Sequence, residues 1–136
     1  MKIVIDTNIV ISAAFFGGIP RKVIQAAVEE KIIVCANSSI VDEYKEIKDE
    51  MLLLKKGKLR DDIFDTYLEK IRMFKPVAVV NICRDPDDNK FIACAIDAKA
   101  IYVVSGDKDL LAVESYDEVK IVTAKEFYER YLLNQP

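Results

Sequence analysis

The fold of this chain follows from the stretch KIVIDTN at residues 2–8. Its short apolar run is rich in β-branched residues, which is typical of a strand buried on both faces. The run ends at Asp6, and Thr7 and Asn8 come next. Because ligands of an open parallel sheet bind beyond the carboxyl ends of its strands, Asp6 is expected at the functional edge. The alternative is that Asp6 only caps the next helix, since Asp, Thr and Asn all favour helix N-termini.

The composition is that of a globular protein. The 136 residues are 51% hydrophobic and 32% charged, and they predict one domain spanning residues 1–136. No apolar run approaches the roughly 18 residues that a membrane span requires. The chain enters its first strand without a signal-peptide pattern. We therefore expect a cytoplasmic protein that has no membrane partner.

The chain has no histidine, and this excludes more chemistry than any other count. Histidine-dependent catalytic triads and HExxH zinc sites are ruled out. Acid–base chemistry near neutral pH must then use carboxylates, lysines or metal-bound water. The cysteines, Cys35, Cys83 and Cys94, share no CxxC spacing, so we do not expect a zinc site. The net charge of −3 neither indicates nor excludes a nucleic-acid partner.

Apolar patterning predicts strands that alternate with helices. Continuous apolar runs predict five strands, at residues 2–5, 32–36, 77–82, 101–104 and 119–122. Helices are predicted at residues 8–16, 20–30, from 39 past 51, 59–74, from a cap at 87 or 88 to 98, from about 110, and 124–133, with an exposed turn at 55–58. This alternation predicts an α/β fold with three layers, in which helices flank a mainly parallel sheet of about five strands.

Acidic residues follow the first four predicted strands, at Asp6, Glu43, Asp85–Asp88 and Asp107. All four groups belong to the same edge of a parallel sheet. Carboxylates that converge there repel one another and raise their own pKa values unless a cation compensates them. We therefore expect one pocket in which only a bound Mg²⁺ or Mn²⁺ relieves the repulsion. Such an ion is suited to the hydrolysis of phosphate esters.

Four motifs resemble, in order and at matching spacing, the successive motifs of PIN-domain nucleases. They are Ile5–Asn8 (IDTN), Val41–Tyr44 (VDEY), Arg84–Phe91 (RDPDDNKF) and Val104–Leu111 (VSGDKDLL). The branch that they most resemble is the VapC-type toxins of toxin–antitoxin systems. The resemblance implies a PIN-like fold and a ribonuclease that depends on Mg²⁺ or Mn²⁺. It also implies a homodimer and a cognate antitoxin that silences the enzyme.

The resemblance further implies roles for individual residues. Three of the family's four catalytic acids are matched directly, by Asp6, Glu43 and Asp107. Many members carry the remaining acid where this chain has Asn89, so we expect that role at Asp88, or else at Asp85. The implied metal ligands are Asp6, Glu43, Asp85, Asp88, Asp107 and, through water, Asp109.

Supporting and substrate-binding residues follow from the same motifs and from their surroundings. Groups expected to orient the substrate or the metal ligands are Thr7, Asn8, Asn89 and Ser105. Candidate RNA contacts, all expected near the same edge of the sheet, are Arg21, Lys22, Lys90 and Lys108.

Two other functions remain open at this point. The departure at Asn89 allows a catalytically inactive domain that binds metal or RNA and serves as an interaction partner. A phosphatase of the haloacid-dehalogenase type also begins with a strand and an Asp, but it needs a second Asp two residues later, where this chain has Asn8. A dinucleotide-binding module is excluded because no glycine-rich turn follows the first strand.

Overall fold

The computed structural model describes residues 1–55, without the side chain of residue 55, and residues 62–134. The turn predicted at residues 55–58 lies almost entirely outside these described residues, as does the predicted helix start at residue 59.

The described residues form a mixed α/β fold built on a six-stranded, mostly parallel sheet. The strands are β1 (Lys2–Ile5), β2 (Ile33–Ala36), β3 (Arg72–Met73), β4 (Tyr102–Val104), β5 (Ser115–Tyr116) and β6 (Val119–Val122). Their order across the sheet is β3-β2-β1-β4-β6-β5, and only the last pair is antiparallel. The predicted fold class is therefore confirmed. The central position of β1 places the residue after it in the middle of the carboxyl edge.

Helices flank this sheet. They are α1 (Thr7–Phe15), α2 (Gly18–Val28), α3 (Ser38–Lys55), α4 (Ile63–Lys70), α5 (Asn89–Ala98), α6 (Lys108–Val113) and α7 (Ala124–Phe127), with a 3₁₀ turn at Pro86–Asp88 and a π-helical turn at Tyr128–Leu132. Helix α5 packs across β1, β2 and β4, and α6 packs on β6. The loop before α5 and the turn into α6 therefore both end beside the carboxyl end of β1.

No single helix among the described residues is long and apolar enough to cross a membrane. The pair α1 and α2 reaches that length and hydropathy together, but the two helices meet at an angle of 100°. Their apolar residues lie largely in the core of the protein.

A buried tyrosine ties α3 to the central strand. The Tyr44 side chain is 0% exposed, and its hydroxyl donates a hydrogen bond to the backbone carbonyl of Ile5. The hydroxyl of Tyr67 lies 3.5 Å from the hydroxyl of Tyr44 and donates to it. Because a buried hydroxyl needs a partner, this contact fixes the register of α3 against β1. Glu43, the residue before Tyr44, is thereby held beside the end of β1.

The strand predicted at residues 77–82 is wrong. The third strand is the two-residue β3, which pairs with β2, whereas residues 77–82 contain no helix or strand. Val77 and Val79 are 77% and 90% exposed. The backbone N–H groups of Val77 and Ala78 donate to the Asp97 carboxylate, at 3.0 and 2.8 Å. A side chain on α5 therefore replaces a neighbouring strand as the hydrogen-bonding partner.

Candidate metal centre

Asp6 lies at the centre of the carboxyl edge. Its backbone N–H donates to the carbonyl of Val104 at 2.9 Å, and the residue is only 4% exposed. The hydroxyl of the fully buried Ser105 donates to Asp6 Oδ2 at 2.6 Å. Burial raises the pKa of Asp6, the Ser105 hydrogen bond partly offsets that shift, and the charges of Asp107 and Glu43 raise the pKa further. Asp6 therefore makes no side-chain cap for α1 and instead faces the other acids.

Asp107 reaches the same pocket from the start of α6. Its Oδ1 accepts hydrogen bonds from the backbone N–H groups of Asp109 and Leu110, at 2.7 and 3.2 Å. Its own N–H donates to the hydroxyl of Ser105 at 2.9 Å. Ser105 thus connects Asp6 and Asp107 directly. The cap contacts involve one carboxylate oxygen of Asp107, so the cap also fixes the direction of the other oxygen.

Asp88 is the side chain that most clearly fits a metal ion. It is 9% exposed, and its Oδ2 has no hydrogen-bond partner among the described residues. Burial and the charges of Asp107, Asp85 and Asp6, together with hydrogen bonding to Asp107, raise the pKa of Asp88 to about 7. A buried carboxylate oxygen without a partner is unfavourable unless a cation binds it. The hard oxygen donors around it suit Mg²⁺ or Mn²⁺.

Two further aspartates lie at the open side of Asp88. One carboxylate oxygen each from Asp85, Asp88 and Asp109 lie within 4.8 Å of one another. Asp85 is exposed and caps the 3₁₀ turn by accepting the N–H of Asp87 at 3.0 Å. Asp109 accepts two hydrogen bonds from Arg84, at 2.8 and 3.1 Å. Asp109 is therefore already paired with a cation, a contact that no motif in the sequence indicates.

Asn89 faces the loop that precedes it. Its Oδ1 accepts hydrogen bonds from the backbone N–H groups of Ile82 and Cys83, at 3.1 and 2.9 Å, and the residue is 8% exposed. The amide therefore satisfies the last backbone donor of the segment that sequence patterning predicts as a strand and the donor that follows it. Of the three candidates for the remaining acid, Asp88 is the one that is both buried and directed at Asp6 and Asp107.

Replacing Asn89 with alanine is expected to destabilise the protein by about 1–3 kcal/mol, because it leaves two backbone N–H groups without their acceptor. Urea unfolding monitored by circular dichroism measures this change. Asn81→Ala is the matched control, since Asn81 is an exposed residue of the same loop. Equal unfolding midpoints for the two variants would show that the Asn89 amide does not hold the loop.

Glu43 is held by two donors of the protein itself. Its Oε1 accepts a hydrogen bond from the ammonium of Lys90 at 2.6 Å, and its Oε2 accepts one from the hydroxyl of the buried Thr7. Lys90 also contacts both oxygens of Asp87 at 3.1 Å. Burial lowers the pKa of Lys90, but the hydrogen bonds to Glu43 and Asp87 outweigh burial, and the net shift is upward. Lys90 is therefore charged at neutral pH.

These contacts correct one expectation from the sequence. A bound ion is not the only cation that can relieve repulsion in the pocket, because Lys90 neutralises Glu43 and Arg84 neutralises Asp109. The pocket has three other buried or half-buried acids, Asp6, Asp88 and Asp107. In the part of the chain that the structure describes, these three form no ion pair with Lys or Arg. The uncompensated negative charge is concentrated in these three side chains.

The remaining sequence candidates divide into two groups. Asn8 is exposed at the start of α1, and its nearby backbone N–H has a minor lowering effect on the pKa of Asp6. Lys108, which stands between Asp107 and Asp109 in the sequence, is also exposed. By contrast, Arg21 donates to the carbonyl of Ala13, and Lys22 lies 5.0 Å from the ring centre of Tyr128. Both line a cavity of about 420 Å³ that none of the candidate metal ligands lines.

A polar cavity of about 570 Å³ opens beside the acids. It is lined by Glu43, Lys90 and Asp87 together with Ser38, Ser39, Asp42, Glu46 and Ile47. Glu43 and Lys90 line this cavity, whereas Asp6, Asp88 and Asp107 do not, so the cavity adjoins the buried acids on the side of α3. Such an arrangement can bind a divalent ion and admit a phosphate ester next to it.

The fold and the acidic pocket define a class of carboxylate-lined, metal-binding α/β domains, and sequence comparison gives the family. The model of the PIN domain family matches residues 2–109. This chain therefore belongs to the PIN domain family, whose members are generally metal-dependent nucleases. Uncharacterized protein MJ1680 of Methanocaldococcus jannaschii is 37% identical over 147 aligned positions, which cover 96% of this chain and 92% of that protein. No solved structure gives a significant match.

Proposed function

We propose that this protein is a metal-dependent ribonuclease that hydrolyses RNA phosphodiester bonds with Mg²⁺ or Mn²⁺. The observation that carries the proposal is the buried, unpartnered Oδ2 of Asp88, which lies among acids that no cationic side chain of the described residues neutralises. Family membership supports nuclease chemistry. Since the chain has no histidine, carboxylates and a divalent ion are the route to hydrolysis at neutral pH that its residues allow.

The residues proposed to hold the ion are Asp88, Asp85 and Asp109, whose carboxylate oxygens lie within 4.8 Å of one another, together with Asp6 and Asp107, whose charges act on Asp88. A bound divalent ion supplies a water of lowered pKa and a positive charge for the phosphate. The Ser105 hydroxyl orients Asp6, and the first turn of α6 orients Asp107. We assign contacts with the phosphate and sugar of the RNA to Lys108 and Asn8, because both are exposed and adjoin the acids in the sequence. These contacts orient the scissile bond beside the acids.

Cleavage of a labelled single-stranded RNA by protein stripped of metal tests this function. We expect fragments with added Mn²⁺ or Mg²⁺ and none with EDTA, because the uncompensated acids cannot accept an anionic phosphate alone. Intact RNA from a protein that binds Mn²⁺ would instead indicate the inactive interaction domain. Release of inorganic phosphate from a small ester, with trapping of phosphate on Asp6, would indicate the phosphatase.

The inactive alternative has one observation in its favour. Glu43, expected from the resemblance to be a catalytic acid, is neutralised by Lys90. The other departure, Asn89, does not favour inactivity, because Asp88 supplies a buried carboxylate one residue earlier. We therefore retain the ribonuclease as the proposed function.

We also propose that the protein is a VapC-type toxin that acts in the cytoplasm as a homodimer and is silenced by an antitoxin. The four motifs and their spacing support this role. The three cysteines are free and buried, which suits a reducing compartment. The PIN family match and the relative from Methanocaldococcus jannaschii do not distinguish the toxin branch from other PIN domains. A short partner that co-purifies with the protein from its native host would identify the antitoxin.

A further inference from the structure

The two halves of the acidic pocket differ in their charge balance. On the side of α3, the Lys90 ammonium lies 2.6 Å from Glu43 Oε1 and 3.1 Å from both oxygens of Asp87. The side chains of Lys90 and Glu43 are 19% and 22% exposed. On the side of α6, the buried Oδ2 of Asp88 has no partner among the described residues. A cation is thus paired with Glu43 in one half of the pocket, whereas in the other half Arg84 pairs with Asp109 and no cation of the described residues pairs with Asp88.

Both oxygens of Glu43 are already used by donors that belong to the chain. Lys90 occupies one and the hydroxyl of Thr7 occupies the other. Thr7 is 4% exposed and follows the central strand directly, so its position is fixed by the core. Each carboxylate oxygen has two lone pairs, so an ion that bound Glu43 directly would have to share an oxygen with Lys90 or Thr7, against the charge of the Lys90 ammonium, or displace one of these donors. Removing one partner from a largely buried ion pair is strongly unfavourable, because the other charge stays buried.

We propose that the ammonium of Lys90 takes the place of a second metal ion, so that the pocket binds one divalent ion, at Asp88 and the acids around it. Glu43 is then a positioning residue that is held by Lys90 and Thr7 and does not ligate the ion. This inference rests on the proposed metal-dependent function and specifies its stoichiometry. The tethered ammonium of Lys90 competes well with a metal ion for the position beside Glu43, since its effective concentration is high and it needs no octahedral shell of ligands.

Counting Mn²⁺ bound per chain by equilibrium dialysis tests the proposal. We expect one ion for the wild-type protein and for Lys90→Arg, which keeps the cation. Lys90→Met removes the ammonium and leaves Glu43 and Asp87 facing each other, so a second, weaker Mn²⁺ is expected to bind there. Lys125→Met is the matched control, because Lys125 is exposed at the start of α7, and one ion is expected.

The Glu43→Gln variant gives an independent test if Lys90→Met does not fold. Since Glu43 is not a ligand in this proposal, the Mn²⁺ affinity of Glu43→Gln should fall by less than about threefold, the effect of one nearby screened charge. A tenfold or greater loss, or one ion in folded Lys90→Met, overturns the inference. Two ions in the wild-type protein also overturn it and leave the proposed ribonuclease intact. No bound Mn²⁺ in the wild-type protein would instead contradict the proposed function itself.

Discussion

Replacing Asp88 with asparagine is expected to reduce Mn²⁺-dependent cleavage of RNA by roughly three orders of magnitude or more, since metal catalysis contributes several kcal/mol. Asparagine has nearly the same shape as aspartate but cannot provide an anionic oxygen. The loss should appear in the rate of single-turnover cleavage at saturating Mn²⁺. Asp6, Asp85 and Asp107 remain in this variant, so the loss measures the contribution of the buried, unpartnered oxygen of Asp88 itself.

The matched control for this experiment is Asp65→Asn. Asp65 is an exposed acid in the first turn of α4, so its replacement makes the same chemical change without touching the pocket. We expect that variant to cleave at the wild-type rate. Comparable rates for Asp88→Asn and Asp65→Asn would show that the unpartnered oxygen of Asp88 has no part in the chemistry.

The metal-free protein is expected to lose stability as the pH rises from about 5 to about 7. The pKa of Asp88 is about 7 in the folded protein, through burial and its acidic neighbours, and an unfolded aspartate titrates near 3.9. Between these values the folded state binds a proton that the unfolded state has lost. The free energy of unfolding therefore falls with rising pH, by at most about 1.4 kcal/mol per pH unit for each such group. Asp6, whose pKa is also raised, acts in the same direction.

Asp88→Asn should flatten this pH dependence, because it removes the buried charge. At pH 8 in EDTA the variant is expected to be more stable than the wild-type protein by about 1–3 kcal/mol, and at pH 4 the two should be nearly equal. Urea unfolding at several pH values measures both effects. If the wild-type protein and Asp88→Asn showed the same slope between pH 5 and pH 7, the carboxyl group of Asp88 could not be the group with the raised pKa.

The central strand was predictable from its residues, but the third strand was not. Ile3–Ile5 and Val77–Ile82 are both short apolar runs rich in β-branched residues. The first lies between β2 and β4, whereas in the second the backbone N–H groups of residues 77, 78 and 82 are bound by the side chains of Asp97 and Asn89. An apolar pattern predicts that a segment is extended, but it does not identify the strand with which the segment pairs. Tertiary contacts from α5 decide that question.

The convergence of the acids was also predictable, since each follows a strand of a parallel sheet. Which of these acids pair with Lys or Arg was not predictable. Whether Asp88 or Asn89 turns toward Asp6 depends on how α5 begins, and that start is set by two backbone groups of the preceding loop. The pairing of Lys90 with Glu43 joins two helices far apart in the sequence. The spacing of three residues between Asp87 and Lys90 indicates their own ion pair. It gives no sign of the contact between Lys90 and Glu43.

Titration of Mn²⁺ into metal-free wild-type protein and Asp88→Asn at pH 7.5, followed by calorimetry, measures whether a divalent ion relieves the repulsion among Asp6, Asp88 and Asp107. We expect saturable binding to the wild-type protein and an affinity at least about tenfold lower, a cost of about 1.4 kcal/mol or more, for Asp88→Asn. Equal affinities for the two proteins, or no binding to the wild-type protein, would contradict this expectation.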